Sequence, residues 1–214
     1  YNSYTSYQVK YIFLLNPNMR NTINKNIILA SSSIHRKKLL EKYISDFQCI
    51  NPDVNEKEFN KETGKELCIR LARDKAEIVA NDNPNSIVIG SDQVATFNQK
   101  NLGKPYTYDN AFKTIMRFSG KNVFFNTGVV IVSPNKGINL SYIDQTIITF
   151  KVFKSTDLIQ YLDSQDDFQT TAGVKTESEM FQQLISVITC DDEEAIIGLP
   201  IQWTLSQLDN IFLI

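Results

Sequence analysis

Hydrophobic runs and helical stripes alternate along the chain from Asn26 onward. The apolar runs at residues 27–30 and 86–90 are short and partly β-branched, which is typical of strands buried on both faces. Apolar residues recur at helical spacing in residues 34–43 and 63–80, so both segments are predicted to be helices. The chain therefore begins with the strand and helix units that build an α/β sheet.

The second half of the sequence adds longer strands and shorter helices. β-branched and polar residues alternate in residues 123–132 and 140–152, which predicts two long antiparallel strands. Three short helices are predicted at residues 109–118, 155–162 and 201–208. Ser155 is expected to be the N-cap of the middle one, and residues 180–188 (MFQQLISVI) form a further amphipathic segment. This order, without an internal repeat or linker, predicts one α/β domain, with room for two lobes.

The composition is that of a folded globular protein. Hydrophobic residues make up 42% of the 214 residues and charged residues 21%, which excludes disordered, collagen-like and coiled-coil chains. The 22 Lys and Arg residues nearly balance the 24 Asp and Glu residues, for a net charge of -2. Because no basic field attracts nucleic acid or an anionic membrane, a polyanionic ligand would have to be bound locally.

Cysteine use and hydropathy predict the compartment. Cys49, Cys68 and Cys190 are far apart and form no CxxC pair, so neither a zinc site nor a disulfide framework is expected. The apolar stretch at residues 11–15 is far shorter than the ~20 residues that cross a bilayer. We therefore predict a cytoplasmic protein with no membrane and no nucleic-acid partner.

The first 18 residues differ from the rest of the chain. They are polar and aromatic, show no clear period, and are followed by Met19. We expect Met19 to be the natural start and residues 1–18 to be a non-native or disordered extension. Residues 19–214 are then predicted to form a single domain.

Common catalytic signatures are missing from the sequence. It contains no GxxxxGK[ST], GxGxxG, GxSxG or HExxH motif and no EF-hand loop. The one histidine, His35, lies in a basic helical segment. Catalysis by a Ser-His-Asp or Cys-His arrangement would depend on this residue, and its context is that of a solvated helix surface.

Two serines and an arginine mark the start of the first predicted helix. Ser31 and Ser33 follow the strand at residues 27–30, and Arg36 lies one turn into the helix. Hydroxyls and free amides at a helix N-terminus form an anion-binding end, although the same hydroxyls also serve as ordinary caps. Both interpretations stay open from the sequence.

Two carboxylates and two lysines complete the candidate chemistry. Asp92 follows a buried strand, where it could bind a metal, meet a cation or close a turn. Lys104 lies in a tight GKP sequence that would fix its direction. Lys75 lies on a helix face and Glu56 in a loop, where both could equally be solvated. Together these groups suit the binding of a triphosphate with a divalent cation and the transfer of water onto phosphorus.

Several of these residues also lie in motifs that resemble a known family. IILASSSIHRKKLL, NPDVNE, RLARDKA, VIGSDQV, LGKP, SGKNVFFNTGV, TAGV and IIGLP occur in the order and approximate spacing of the Maf family of septum-formation-associated nucleotide pyrophosphatases. The resemblance runs from about Asn26 to Leu208. SDQV and the bare GKP are most similar to the YceF-like subgroup, which implies removal of pyrophosphate from 7-methyl-GTP.

The resemblance implies roles for the candidate residues. Asp92 would accept a proton from water and, with Glu56, hold a divalent metal cation (Mg or Mn), directly or through water. The catalytic group would comprise Asp92, Glu56, Lys104 and Lys75. The residues that bind substrate would be Ser31, Ser33, Arg36, Gln93, His35 and Glu177, with Gln93 helping to choose the base.

The resemblance also implies an architecture. It is an elongated α/β fold with a mixed twisted sheet, flanking helices and two lobes around a cleft, related to the inosine triphosphate pyrophosphatases. Members are commonly dimeric, so a homodimer is expected, with a nucleoside triphosphate as the substrate partner.

Two departures from the subgroup affect base preference. The subgroup usually has an aromatic such as Trp where this chain has His35, and its AGSFKSEG motif appears here as AGVKTESE, so either Glu177 or Glu179 is the specificity acid. A branch of the family that acts on dTTP and UTP therefore remains an alternative. A non-catalytic nucleotide-binding regulator of cell division is a second alternative, although such a sensor has no need for the water-activating acid.

Overall fold

The computed structural model describes residues 26–59 and 61–212 of the 214-residue chain. The strands within this part are β1 Ile27–Ala30, β2 Gln48–Ile50, β3 Ile87–Phe97, β4 Lys100–Leu102, β5 Asn122–Ser133, β6 Ile138–Phe150 and β7 Ile185–Thr189. The α-helices are α1 Ile34–Glu41, α2 Gly64–Asp82, α3 Tyr108–Met116, α4 Ser155–Asp163, α5 Glu179–Leu184 and α6 Ile201–Phe212. The prediction about residues 1–18 concerns a segment outside the described residues.

The strands form one mixed, seven-stranded sheet. Its order is β2-β1-β3-β5-β6-β7, and β4 pairs separately with β3. β1 runs parallel to β2 and β3, whereas the remaining pairs are antiparallel. The predicted α/β fold with a mixed sheet and flanking helices is therefore confirmed.

The long strands connect two lobes. β1 pairs with β3 through residues 87–90 and β4 pairs with it through residues 95–97. Between these two stretches, residues 91–94 of β3 pair with no strand on that edge among the described residues, which leaves a gap. Separate hydrophobic cores lie on either side of this gap, one around β1, α1 and α6 and the other around α3, α4 and α5. The gap in the sheet edge is thus the floor of a cleft between the two lobes.

Two glycines let α2 lie directly on the sheet beside this gap. A Cβ atom at Gly90 would lie 2.2 Å from the carbonyl oxygen of Ala72, and one at Gly128 would lie 2.8 Å from that of Cys68. Any larger side chain would push the helix away from the strands. The close contact brings the middle of α2 next to the unpaired part of β3.

Two details differ from the sequence prediction. Ser155 is the first residue of α4 rather than its N-cap, because the chain turns at Lys154, whose backbone amide donates to the Asp157 carboxylate at 2.8 Å. The amphipathic segment at residues 180–188 divides into the end of α5 and most of β7, because the residues after Leu184 pair with β6. A short apolar run fits either a helix or a strand, so only the sheet partner decides.

Across the described residues, none of the helices combines the length and the apolar character needed to span a membrane.

Candidate active site

A cleft of about 660 Å³ opens between the two lobes, a volume that falls in the usual range for small-molecule sites. All the candidate site residues predicted from the sequence except Glu179, the alternative specificity acid, line it: Ser31, Ser33, His35, Arg36, Glu56, Lys75, Asp92, Gln93, Lys104 and Glu177. The fold therefore brings together residues that are up to 146 positions apart in the chain (31 to 177). Their individual roles remain predictions.

Lys75 joins the two carboxylates at the floor of the cleft. Its Nζ atom lies 2.5 Å from Asp92 Oδ1 and 2.6 Å from Glu56 Oε1. Lys75 is 7% exposed and Asp92 8% exposed, so Lys75 is not the solvated surface group that the sequence left open. Glu56 does remain exposed, at 58% of its side chain. Asp92 lies inside β3 rather than in a turn, because β3 continues for seven residues beyond Gly90, where its pairing with β1 stops.

Opposing effects determine the ionisation of Glu56. Partial burial would raise the pKa of this carboxyl group, but the hydrogen bond from Lys75 and the charges of Lys75, Lys104 and Arg36 outweigh it. The pKa of Glu56 therefore lies below its ordinary value. Glu56 is accordingly an anion at neutral pH, held where three cations converge.

The N-terminus of α1 forms one wall of the cleft. Ser33 is its N-cap and accepts a hydrogen bond from the Arg36 amide at 3.4 Å, while Ser31 Oγ accepts from the Ser33 amide at 3.1 Å. The Ser33 hydroxyl therefore acts as a helix cap, the more ordinary of the two interpretations, whereas the Ser31 hydroxyl stabilises the turn that precedes the helix. The amides of Ile34 and His35 precede the first intrahelical hydrogen bond and can donate to an anion.

Arg36 is oriented by a loop to which the sequence prediction assigned no role. Its Nε donates to the Gly198 carbonyl at 2.7 Å, and the same oxygen accepts from Ser91 Oγ at 2.8 Å. Gly198 has a φ of 116°, and a Cβ there would lie 3.0 Å from Arg36 Nε. Burial lowers the pKa of Arg36, while Asp92 and Glu56 oppose that shift. The guanidinium stays charged, since arginine does not lose its proton in proteins.

Ser91 and Gly198 were therefore missed as orienting residues. The IIGLP motif was the available signal, since a glycine before Leu-Pro marks a special backbone conformation. Nothing in the local pattern connected that loop with Arg36, which lies 162 residues away.

Gln93 lies on the sheet face opposite Asp92, as alternation along a strand requires. Its Nε2 donates to Thr127 Oγ1 at 3.1 Å and to the Ile196 carbonyl at 2.9 Å. These bonds attach the loop that contains Gly198 to the sheet. The amide group of Gln93 is thus held rigidly at the cleft wall.

Polar residues from both lobes meet at the mouth of the cleft. His35 Nδ1 of α1 lies 3.7 Å from Glu177 Oε1, and both side chains are about half exposed. Lys104 is exposed on the loop after β4. Of the two candidate specificity acids, only Glu177 is among the residues that line the cleft, whereas Glu179 begins α5. The geometry therefore favours Glu177 as the acid that a ligand would meet.

Arg70 fastens the loop that contains Glu56 to α2. Its Nε and Nη2 atoms contact the two carboxylate oxygens of Glu62 at 2.6 and 2.8 Å, and Nη2 also donates to the Lys57 carbonyl at 3.0 Å. The guanidinium lies 4.0 Å from the ring centre of Phe59. Because Lys57 follows Glu56 directly, the planar fork of Arg70 helps to fix where Glu56 lies.

We expect Arg70→Lys to lower kcat/KM for the substrate by about 10-fold, because a lysine cannot reproduce the bidentate and stacking contacts of a guanidinium. Steady-state kinetics would measure the change. Arg73→Lys is the matched control, since Arg73 lies on the same helix but contacts Glu77 and Asn139. If Arg70 acts through Glu56, Arg70→Lys should lower kcat/KM little further in a protein that already carries Glu56→Gln. An equal loss in both backgrounds would contradict that role.

The cleft also offers ligands for a divalent cation. Glu56 and Asp92 present carboxylate oxygens around one point, now held by the Lys75 ammonium. Within residues 26–59 and 61–212, no group of three or more His, Cys, Asp or Glu side chains could hold a metal. This donor set fits a hard cation such as Mg or Mn, which is typically bound by one or two carboxylates with water and phosphate oxygens.

The chain is similar to known proteins over most of its length. A family model described as Maf-like protein matches residues 26–211. A 7-methyl-GTP pyrophosphatase from Colwellia psychrerythraea is 35% identical over 177 residues, 83% of this chain and 88% of that protein. One from Hydrogenovibrio crunogenus is 38% identical over 175 residues, 82% of this chain and 87% of that protein.

The solved structure of the Staphylococcus aureus Ham1 protein is similar over 87% of this chain and 100% of that one, with 14% identity and a TM-score of 0.47. The family follows from the sequence matches alone. The chain belongs to the Maf family.

Proposed function

We propose that this protein is a nucleoside triphosphate pyrophosphatase that hydrolyses the bond between the α and β phosphates of 7-methyl-GTP, releasing the monophosphate and pyrophosphate. The observation that carries the proposal is the cluster in which buried Asp92 and Lys75 meet the more exposed Glu56, in the same cleft as a helix N-terminus. The names of the relatives support the choice of substrate.

The cations of the cleft suit a polyphosphate. Arg36, Lys75 and Lys104 provide three positive charges, and the amides at the start of α1 add donors without a counter-charge. Glu56 and Asp92 offset part of this charge when the site has no ligand. A substrate with about four negative charges therefore finds both donors and neutralising groups in a partly desolvated site.

Glu56 and Asp92 are the residues that would hold a Mg or Mn ion, the cofactor implied by the family resemblance. When bound, such an ion would neutralise charge on the phosphate oxygens and lower the pKa of a water molecule. Lys75 contributes a second positive charge beside the same two carboxylates, and it is buried there.

Asp92 is proposed to act as the general base. Its carboxylate would take a proton from a water molecule whose oxygen attacks the α phosphorus, while the bond to the β phosphate breaks and pyrophosphate leaves with the bonding electrons. Arg36 and Lys104 would stabilise the charge that develops on the leaving group. The hydrogen bond from Arg36 to Gly198 keeps the guanidinium in place before substrate arrives.

We expect Lys104→Ala to reduce the rate by at least ~10-fold, because a cation directed at phosphate contributes more than ~1.4 kcal/mol once the bound substrate has displaced water from it. Pyrophosphate release would be the measurement. Lys100→Ala is the control, because Lys100 is exposed on β4 and is not among the residues lining the cleft. A loss of less than twofold would mean that Lys104 is only a surface charge.

Turnover of 7-methyl-GTP, dTTP and UTP, with detection of pyrophosphate, tests the function. Fastest turnover of 7-methyl-GTP is expected. Preference for the pyrimidine nucleotides would replace the proposed substrate, and binding without release of pyrophosphate would instead indicate a non-catalytic sensor.

The cytoplasmic location and the homodimer remain predictions, which fractionation of cells and sedimentation of the purified protein would test.

A further inference from the structure

Tyr106 has an unusual backbone conformation at the wall of the cleft. Its φ is 62°, in the left-handed region that glycine and asparagine adopt readily and a bulky aromatic residue rarely does. The side chain nevertheless lines the cleft and is 68% exposed. The backbone of Tyr106 thus has an unfavourable conformation although its ring is not buried. Packing of the ring therefore does not explain the conformation.

Contacts on both sides of Tyr106 impose this conformation. Its amide donates to the Phe168 carbonyl at 3.0 Å, and the carbonyl of Pro105 accepts from Asn110 Nδ2 at 3.1 Å. Thr107, the next residue, caps the N-terminus of α3. Strained residues that their surroundings hold in place tend to occur at ligand-binding sites. The strain therefore suggests a role for the ring in binding.

The position of Tyr106 restricts what its ring can contact. It lies two residues after Lys104 on the same loop, so a ligand whose phosphates reach Lys104 extends along this wall. The half-exposed pair of His35 and Glu177 lines the same cleft. The phosphate-binding groups are charged, whereas Tyr106 presents an aromatic face and a hydroxyl. The part of a nucleotide that matches such a face is the planar base.

We propose that the Tyr106 ring is the surface on which the base of the substrate stacks, an inference that rests on the proposed function. A base that carries a positive charge, as 7-methylated guanine does, gains additional attraction from an electron-rich ring. Tyr106 is then a residue that determines base affinity, separate from the groups that bind phosphate. The hydrogen bonds at the backbone of Tyr106 and Pro105 hold this residue at the wall before the nucleotide enters.

The test compares two ligands and two variants that tolerate a positive φ. Tyr106→Gly and Tyr106→Asn both remove the ring and relieve the strain. Calorimetric titration with 7-methyl-GMP measures binding of the whole nucleotide, and titration with pyrophosphate measures the phosphate end alone. Gln99→Gly is the control, because Gln99 also has a positive φ of 61° but lies at the exposed hairpin tip between β3 and β4.

We expect both Tyr106 variants to bind 7-methyl-GMP about 10-fold more weakly and to bind pyrophosphate as the wild type does, with melting temperatures unchanged or raised. Tyr106→Phe should stay within twofold of the wild type. Nucleotide affinity within twofold in the Gly and Asn variants would overturn the proposal. An equal loss for pyrophosphate would also overturn it, since the residue would then only position Lys104. Failure of the proposed function is separate: the wild type would release no pyrophosphate from any triphosphate.

Discussion

Asp92→Asn should lower turnover of the nucleoside triphosphate by about 10³-fold, within the range for removal of a general base. Asparagine has the same shape as aspartate but cannot take a proton from water. Lys75 would keep its contact with Glu56 at 2.6 Å, so the floor of the cleft should not lose its structure. Nucleotide affinity should therefore change little, because the phosphate-binding cations and amides remain.

Two measurements separate the role of Asp92 in proton transfer from a role in holding a metal. Pyrophosphate release gives the rate, and calorimetric titration with a nucleotide gives the affinity. Raising the Mg²⁺ concentration should not restore the rate of the variant, since added metal replaces a weakened ligand but not a missing base. Restoration by Mg²⁺ would contradict the base role, and unchanged turnover would remove Asp92 from the mechanism.

Asp53→Asn is the matched control for this variant. Asp53 is exposed in the loop before Glu56 and is not among the cleft-lining residues. Its replacement removes the same charge from a neighbouring part of the surface. Turnover within twofold of the wild type is expected, which would show that the loss in Asp92→Asn does not arise from net charge.

The elements of this fold follow from local patterns more closely than the geometry of the site does. The helix after Thr63 and the two long strands of the second half were predictable from periodicity, because each is long and strongly patterned. The short strand at residues 27–30 was predicted instead from its apolar, partly β-branched composition. Residues 180–188 show the limit of such patterns. Their division between α5 and β7 depends on pairing with β6, which is far away in sequence.

The candidate residues were predictable as a set, but their partners were not. The burial of Lys75 depends on the close approach of α2 to the sheet at Gly90, a tertiary effect that helical periodicity does not contain. The orientation of Arg36 depends on the Gly198 carbonyl for the same reason. Residue types and motifs therefore indicate the chemistry, whereas contacts between distant segments determine which charges meet.

A second large effect is expected at Asp144 of β6, which is not among the residues that line the cleft. This residue is 1% exposed, and within the described part of the chain its Oδ2 atom has no hydrogen-bond partner. Burial, followed by the negative charge of Asp192, raises the pKa of Asp144 to about 6. Thr146 Oγ1 donates to its Oδ1, but at 3.4 Å this contact is weak.

The raised pKa makes the stability of the protein depend on pH in a definite direction. The folded state holds the proton of Asp144 up to about pH 6, whereas the unfolded chain releases it near 3.8. The contribution of Asp144 to stability therefore falls as pH rises through this window and stays low above it. Because each pKa unit corresponds to about 1.4 kcal/mol, an ionised Asp144 costs the folded state roughly 3 kcal/mol at neutral pH.

Asp144→Asn should therefore raise the free energy of unfolding by roughly 2–3 kcal/mol at pH 8 and by clearly less at pH 4, because the neutral amide bears no ionisation cost. Urea denaturation at both pH values would measure this difference. Asp46→Asn, at an exposed aspartate, should change stability by less than about 0.5 kcal/mol at either pH. Equal stabilisation by Asp144→Asn at both pH values would show that the gain comes from new hydrogen bonds of the amide. Destabilisation at pH 8 would mean that the ionised carboxylate has a stabilising partner in solution.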